Sequence, residues 1–302
     1  MKKSILMCLA VLIAAGSTAS AANIDVQVKL RRVSVSISDA EDVNIPTIQL
    51  LNSDKTKMLY TGDGRSENKE YKFDSFSFPS DAESGDYVLR VGGGGSISET
   101  VIKYTAYEEA IEALKTIADD KGTVLKQLSA YPELFGTNAE ELASLGSDWK
   151  RRIENDICQI KIKYANENEA TETIDKIFAV VKKISNWASL IDSADEGKRK
   201  EAINAVSGLD KEYLDKLSNT SGIYTAFAAQ SIDRLGIDEN GILSAFDGAM
   251  LAAVINECDW GTGKAALNYY VNKGLINVDS KYLTSGADVY KALKNKKVYD
   301  YK

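Results

Sequence analysis

The 302-residue chain contains no histidine. Ser-His-Asp triads, Cys-His pairs and histidine-ligated zinc sites all rely on an imidazole as base or ligand, so none of them is open to this protein. Carboxylate, tyrosine, lysine and arginine chemistry is what remains. Basic side chains are in the minority, 37 Lys and Arg against 44 Asp and Glu, for a formal net charge of −7. That balance repels nucleic-acid phosphates and anionic lipid, and argues against both as partners. Cysteine is scarce as well, with three in the whole chain. Long apolar runs are limited to one, ILMCLAVLIAA, which falls short of the about 20 residues a membrane-spanning helix needs.

That single run has a different use. MKKS is a short positive start, the apolar core follows, and STASAA carries an A-x-A cleavage site at Ala19 and Ala21. The expectation is a signal peptide over 1–22, cut after Ala21 or Ala22, and an extracellular or cell-surface protein with no membrane insertion after cleavage. Loss of Lys2 and Lys3 with the leader takes the net charge from −7 to about −9. Cys8 follows Leu6 and Met7 rather than small residues, which is not a lipid-attachment pattern. The two remaining cysteines, Cys158 and Cys258, permit one disulfide, which would close a loop of about 100 residues and stabilise by roughly 4.7 kcal/mol in the chain-entropy model. Two thiols buried in the core are the favoured reading, because Cys158 shares a helical face with Trp149, Ile153 and Ile160 in WKRRIENDICQI.

From Asn23 to Tyr104 the apolar pattern has period two. Ile24, Val26, Val28 and Leu30 fall on even positions, then Val33, Val35 and Ile37 on odd ones, with Arg31 and Arg32 between. The parity change predicts a bulge there, or a strand crossing from one sheet to another. Further runs at Ile45–Leu51, Lys57–Tyr60, Tyr71–Phe78, Tyr87–Val91 and Ile97–Tyr104 are separated by turn-rich segments such as TGDGRSEN. About seven short strands in this length predict an immunoglobulin-like β-sandwich over 23–105. Gly92–Gly95 runs into the alternating segment SISETVIKY and is not followed by Lys-Ser/Thr, so it reads as a hairpin connection and not as a phosphate loop. Tyr87, two residues before an inward Leu89, is placed either as a tyrosine corner or as simple core packing.

After Tyr104 the period becomes helical. Ala110, Ile111, Leu114, Ile117 and Ala118 form one face, and Ile174, Ile177, Phe178, Val181, Ile184 and Trp187 another. An all-α domain is therefore expected over 106–302. It repeats itself about three times at 66–75 residues. A shift of 75 residues aligns Gly122 with Gly197, Leu134 with Leu209, Leu142 with Leu217 and Trp149 with Tyr224. A further shift of 66 brings in Gly263, Leu275, Leu283 and Tyr290. GIDENGIL holds Asp238, Asn240 and Gly241 but lacks the further acidic ligands of a calcium loop, and is read as a loop with a helix cap.

The segment FSFPSDAESGDYVLRVGG, the strand SISETVIKYTA and the helical EEAIEALKTIADDKGTVLKQLSAYPELFG together resemble a module pair of large secreted cell-surface proteins of Gram-positive, clostridia-like bacteria. There an immunoglobulin-like sandwich carrying S-G-x-Y-x-x-R-x-G-G precedes helical repeats. The resemblance covers roughly Phe76 to Tyr301, and it implies an envelope-associated or extracellular modular protein with no catalytic residues to carry over. This chain lacks the surface-layer homology repeats, dockerin and sortase signal of the larger members.

The expected function is non-catalytic: spacing, scaffolding or adhesion, with cell-wall or extracellular polysaccharide or other surface proteins as partners and with no cofactor or metal. Tyr60, Tyr71 and Trp260, in polar or glycine-rich settings, are the candidates to stack on sugar rings. The alternative is a polysaccharide-active enzyme, or a fragment of one, because a pair of carboxylates suffices for glycoside hydrolysis without histidine. Most acidic residues lie in helix-face runs such as YEEAIE and NENEATE, where solvated charge is the simpler reading.

Overall fold

The structure is a computed structural model and describes residues 23–38, 46–67, 70–93, 96–218, 220–229 and 232–274. An N-terminal region of antiparallel sheets is followed by a helical region, a mixed α and β architecture. Contacts divide the chain into two compact units, one of Met1–Ala143 with Ile157–Ala179 and one of Ser144–Asp156 with Val180–Lys302. The junction at Thr105 and Ala106 lies inside the first unit. Thr105 Oγ1 donates to Glu133, and the amide of Ala106 donates to Ser84 Oγ at 2.7 Å.

Nine strands are formed among the described residues: β1 (Asn23–Lys29), β2 (Arg32–Ser38), β3 (Thr47–Asn52), β4 (Met58–Asp63), β5 (Arg65–Glu67), β6 (Glu70–Lys72), β7 (Phe76–Ser77), β8 (Gly85–Gly93) and β9 (Ser96–Tyr104). One sheet has the order β1-β2-β6-β5, with β7 pairing the start of β2; the other has the order β4-β3-β8-β9. Alternation puts Val33, Val35 and Ile37 of the first sheet and Ile48, Leu50, Leu89 and Ile102 of the second into one buried cluster, with Phe78, Tyr87 and Tyr104 at its centre.

The parity change near Arg31 has another origin than the bulge or crossing expected from the pattern. β1 and β2 form a hairpin with Val28 opposite Val33 and Lys29 opposite Arg32, so only Leu30 and Arg31 make the turn. Directly opposed residues share a face, and a two-residue turn pairs even positions with odd ones. Leu30 adopts φ +48. The turn is held by Arg31, whose guanidinium donates to the Phe78 carbonyl at 3.2 Å while its own carbonyl accepts the Phe78 amide at 2.7 Å. The crossing between sheets comes later, at Gly64, where β4 ends and β5 begins in the other sheet. A Cβ on Gly64 would meet the Phe73 ring at 2.9 Å and Pro46 at 3.0 Å, so the crossing needs a residue without a side chain.

The glycine run connects strands, as its setting predicts. β8 and β9 pair in unbroken register from Gly85 opposite Tyr104 to Gly93 opposite Ser96, and Gly94 and Gly95 lie outside the described residues.

Ten α-helices are formed among the described residues: α1 (Tyr107–Asp119), α2 (Val124–Ala130), α3 (Pro132–Phe135), α4 (Ala139–Ser144), α5 (Ser147–Cys158), α6 (Glu167–Asp192), α7 (Glu196–Ala205), α8 (Ser221–Ala229), α9 (Glu239–Glu257) and α10 (Trp260–Asn272). α1 buries Ala110, Ala113, Leu114 and Ile117, an i, i+3, i+4, i+7 stripe that leaves Ala118 exposed. In α5 the stripe is Trp149, Ile153 and Ile157, so Cys158 sits at its margin and is half-buried rather than in the core. No disulfide joins Cys158 to Cys258.

Helix starts carry the glycines singled out by the 75- and 66-residue shifts. Gly122 lies in the 3-10 turn before α2, Gly197 in the first turn of α7 and Gly263 in the first turn of α10. The closer structural match is Asp-x-Gly, namely Asp120 with Gly122, Asp195 with Gly197 and Asp259 with Gly261. In each, the aspartate side chain accepts an amide of the first turn, and a Cβ on the glycine would meet its Oδ1 at 3.1–3.2 Å. Leu209 is buried, Leu134 is half-buried, and Leu275, Leu283 and Tyr290 lie outside the described residues. Asp238 caps α9, its Oδ1 accepting the Gly241 amide at 2.8 Å, as read from GIDENGIL.

Candidate functional site

Strand register assembles a surface that no single segment of the chain displays. On the outer side of the β4-β3-β8-β9 sheet, Met58, Leu51, Val88 and Val101 stand opposite one another across all four strands. Leu51 and Val88, on the central strands, are buried, whereas Met58 is 53 % exposed and Val101 57 %. The adjacent row runs Gln49, Arg90, Glu99, and the next Thr47, Gly92, Ile97, with Ile97 70 % exposed. Large apolar side chains so far out of a fold are informative when they gather on one face.

A charged group crosses this face. Arg90 Nε donates to Glu99 Oε1 at 3.0 Å, and Lys55, in the β3–β4 turn at φ +61, reaches Glu99 Oε2. Hydrogen bonds from Lys55 and then Arg90 hold the Glu99 carboxyl below the usual carboxylate range. The motif S-G-x-Y-x-x-R-x-G-G supplies much of this geometry. Ser84 accepts the Ala106 amide, Gly85 takes φ +153, Arg90 builds the outer face, and the final glycines enter the hairpin. Tyr87 begins the strand with its ring in the core, edge-on to Phe78, and its hydroxyl donates to the Glu83 carbonyl at 2.8 Å. Tyr87 thus packs in the core and also bonds the backbone four residues upstream.

The aromatic candidates occupy different places. Tyr60 is opposite Leu50 and Tyr71 opposite Ile37, so both are on the inward sides of their sheets, in separate sheets, half-buried and packed on the common core. One face of the Tyr60 ring is covered by Phe76, stacked at 3.9 Å between centroids. Trp260 opens α10 in the second unit and is 39 % exposed, with the Lys264 ammonium 5.8 Å from its ring centroid.

The second unit holds a buried polar cluster that the pattern of the sequence did not reveal. α9 buries eleven of its residues, and one of them is Asp247, 6 % exposed, whose Oδ1 finds no hydrogen-bond partner. Tyr270 of α10 is fully buried with its hydroxyl likewise unpartnered. Asp210 lies close enough to act on both. It accepts from the Tyr269 hydroxyl at 2.9 Å and from the Lys273 ammonium, and Tyr213 packs against both Tyr269 and Tyr270. Burial, reinforced by the negative charge of Asp210 and partly offset by Lys273, pushes the Asp247 carboxyl up to about 6. At Asp210 burial works in the same direction, but the bonds from Lys273, the Glu212 amide and Tyr269 outweigh it and hold the carboxyl below its ordinary value. The two carboxyls are thus displaced in opposite directions, Asp247 by burial and Asp210 by its donors.

No protein-family model matches the chain, and no curated protein matches it in sequence. Among the described residues no group of three or more Cys, Asp or Glu is placed to hold a metal ion, and no helix is long and apolar enough to cross a membrane.

Proposed function

We propose that this is a non-catalytic, extracellular modular protein of a bacterial surface, in which an immunoglobulin-like sandwich presents a contact face and a helical-repeat region acts as spacer. The observation that carries the proposal is the outer face of the β4-β3-β8-β9 sheet, where Met58, Ile97 and Val101 stand out beside the Arg90–Glu99–Lys55 group. The immunoglobulin-like reading is supported by strand order. Lettered in chain order with β7 left out, β1-β2-β6-β5 and β4-β3-β8-β9 correspond to A-B-E-D and C′-C-F-G. Tyr87 supports it further, since a tyrosine at the start of strand F whose hydroxyl bonds the backbone a few residues upstream is a mark of such sandwiches. The repeat is supported by Gly122, Gly197 and Gly263, each of which lies at the start of a helix. Cell-wall or extracellular polysaccharide and other surface proteins are the partner classes, with Trp260 as a further contact residue.

Retention of the purified chain on cell-wall and plant polysaccharides tests this. Replacing Ile97 or Met58 with Ser is expected to weaken retention without lowering the melting temperature, while retention unchanged in both variants refutes the assignment of the face. One observation favours the enzyme alternative, the opposed displacement of Asp247 and Asp210. Release of reducing ends by the chain, abolished by Asp247→Asn, selects that reading over the first.

A further inference from the structure

A sheet of four strands has two edges, and natural proteins blunt such edges with bulges, short strands, proline or a covering element, because an open row of amides and carbonyls recruits another strand. Three of the four edges in this sheet pair are blunted. β4 carries a register shift between Leu50 and Leu51 of its partner, β5 has three residues, and β1 is tied down by Lys29, whose ammonium bonds Asp175 at 2.8 Å. β9 is different. It is nine residues long, runs in unbroken register with β8, contains no proline, and pairs with no strand on its far side among the described residues. α3 lies near this strand, and just past its Tyr104 end Thr105 bonds Glu133.

We infer that the β9 edge binds a second copy of this chain, β9 against β9 in antiparallel register about a two-fold axis at Val101, making one continuous eight-stranded sheet. The choice of register comes from the outward residues Ile97, Glu99, Val101 and Lys103. Centring the axis on Glu99 would oppose two like charges, which is destabilising. Centring it on Thr100 would set Glu99 against Val101 and Lys103 against Ile97, with no charge matched. Centring it on Val101 opposes Val101 to Val101, 57 % exposed in the single chain, and sets Glu99 of each copy opposite Lys103 of the other. The contact is isologous, as a closed two-fold pair requires, and it is centred on five residues of each strand, Glu99 to Lys103. The outer faces of the two copies then become one surface carrying two sets of Met58, Arg90 and Ile97. The inference rests on the strand edge and does not need that surface to bind polysaccharide.

Sedimentation of the purified chain is expected to give a weight-average mass rising from one chain toward two between about 1 μM and about 1 mM. Lys103→Glu sets one carboxylate opposite each Glu99 and is expected to weaken the dimer about tenfold. Val101→Cys provides the second readout. Directly opposed residues in an antiparallel pair have Cα atoms about 4.5 or 5.5 Å apart, within disulfide range. Mild oxidation should therefore crosslink Val101→Cys into dimers far faster than Ile97→Cys or the unsubstituted chain, which retains Cys158 and Cys258. A constant single-chain mass to about 1 mM, or equal crosslinking from Val101→Cys and Ile97→Cys, overturns the inference. Preferred crosslinking through Thr100→Cys overturns the register.

Discussion

Replacing Asp247 with Asn should make the second unit more stable at alkaline pH, an unusual result for a substitution in the middle of a buried helix. The carboxyl is 6 % exposed, one oxygen lacks a partner, and burial with the nearby Asp210 charge raises it from 3.8 to about 6. The unfolded chain binds its proton at the lower value. Stability is therefore greatest below the unfolded value, and is lost as pH rises through the folded one. Each unit of displacement is worth about 1.4 kcal/mol, so a displacement of roughly two units corresponds to about 3 kcal/mol at pH 8, of which a small part is already lost at pH 4. Asn keeps the shape and does not ionise. The stability difference between variant and parent should thus move by about 2 to 3 kcal/mol in favour of the variant between pH 4 and pH 8. Tryptophan fluorescence during urea unfolding reads this unit alone, because Trp149, Trp187 and Trp260 all belong to it. Parallel pH curves for the two proteins would refute the reasoning, since they would mean that Asp247 is ionised and compensated in the folded state.

Tyr87→Phe keeps the ring against Phe78 and removes the bond to the Glu83 carbonyl, and should lower stability of the first unit by about 0.5–1.5 kcal/mol in denaturant melts followed by far-UV circular dichroism. An unchanged midpoint would leave Tyr87 as packing alone. Leu209→Ala is expected to cost about 2 to 5 kcal/mol in the fluorescence-monitored transition because the side chain is buried; no shift would remove Leu209 from the core. Asp259→Ala deletes the cap that accepts the Thr262 amide at 3.0 Å and should cost about 0.5–2 kcal/mol, whereas Asp→Asn at the same position should be nearly neutral.

Much of the fold was legible in the sequence because it is set by local rules. Period-two alternation gave way to helical spacing within three residues of where β9 ends and α1 begins. The glycine run lacked the helix and lysine of a phosphate loop, and it does join two strands. Asp238 capped the helix that GIDENGIL announces. The turn at Leu30 and Arg31 was not legible, because turn signals are Gly, Asn and Asp, and a leucine at φ +48 carries none. Its place as a turn depends on the bonds to Phe78, 47 residues away.

The two candidate sites were hidden for a common reason. Met58, Leu51, Val88 and Val101 read one by one as ordinary strand residues; only pairing across four strands puts them in a row, and only the position of each strand in the sheet leaves the outer two exposed and covers the inner two. Asp247 stands in a segment whose other residues read as core, and nothing along the chain marks its carboxyl as buried with an oxygen that lacks a partner. Its displacement comes first from burial and then from Asp210, 37 positions away, against the opposing effect of Lys273, 26 positions away. Composition and period thus determined the strand-to-helix order and the absence of imidazole side chains, since these are read from residue types and from residues close in sequence. The charge state of Asp247 and the apolar face of the sheet were decided by tertiary structure alone, because desolvation and Coulomb interactions follow distance in space, which the order of residues does not give.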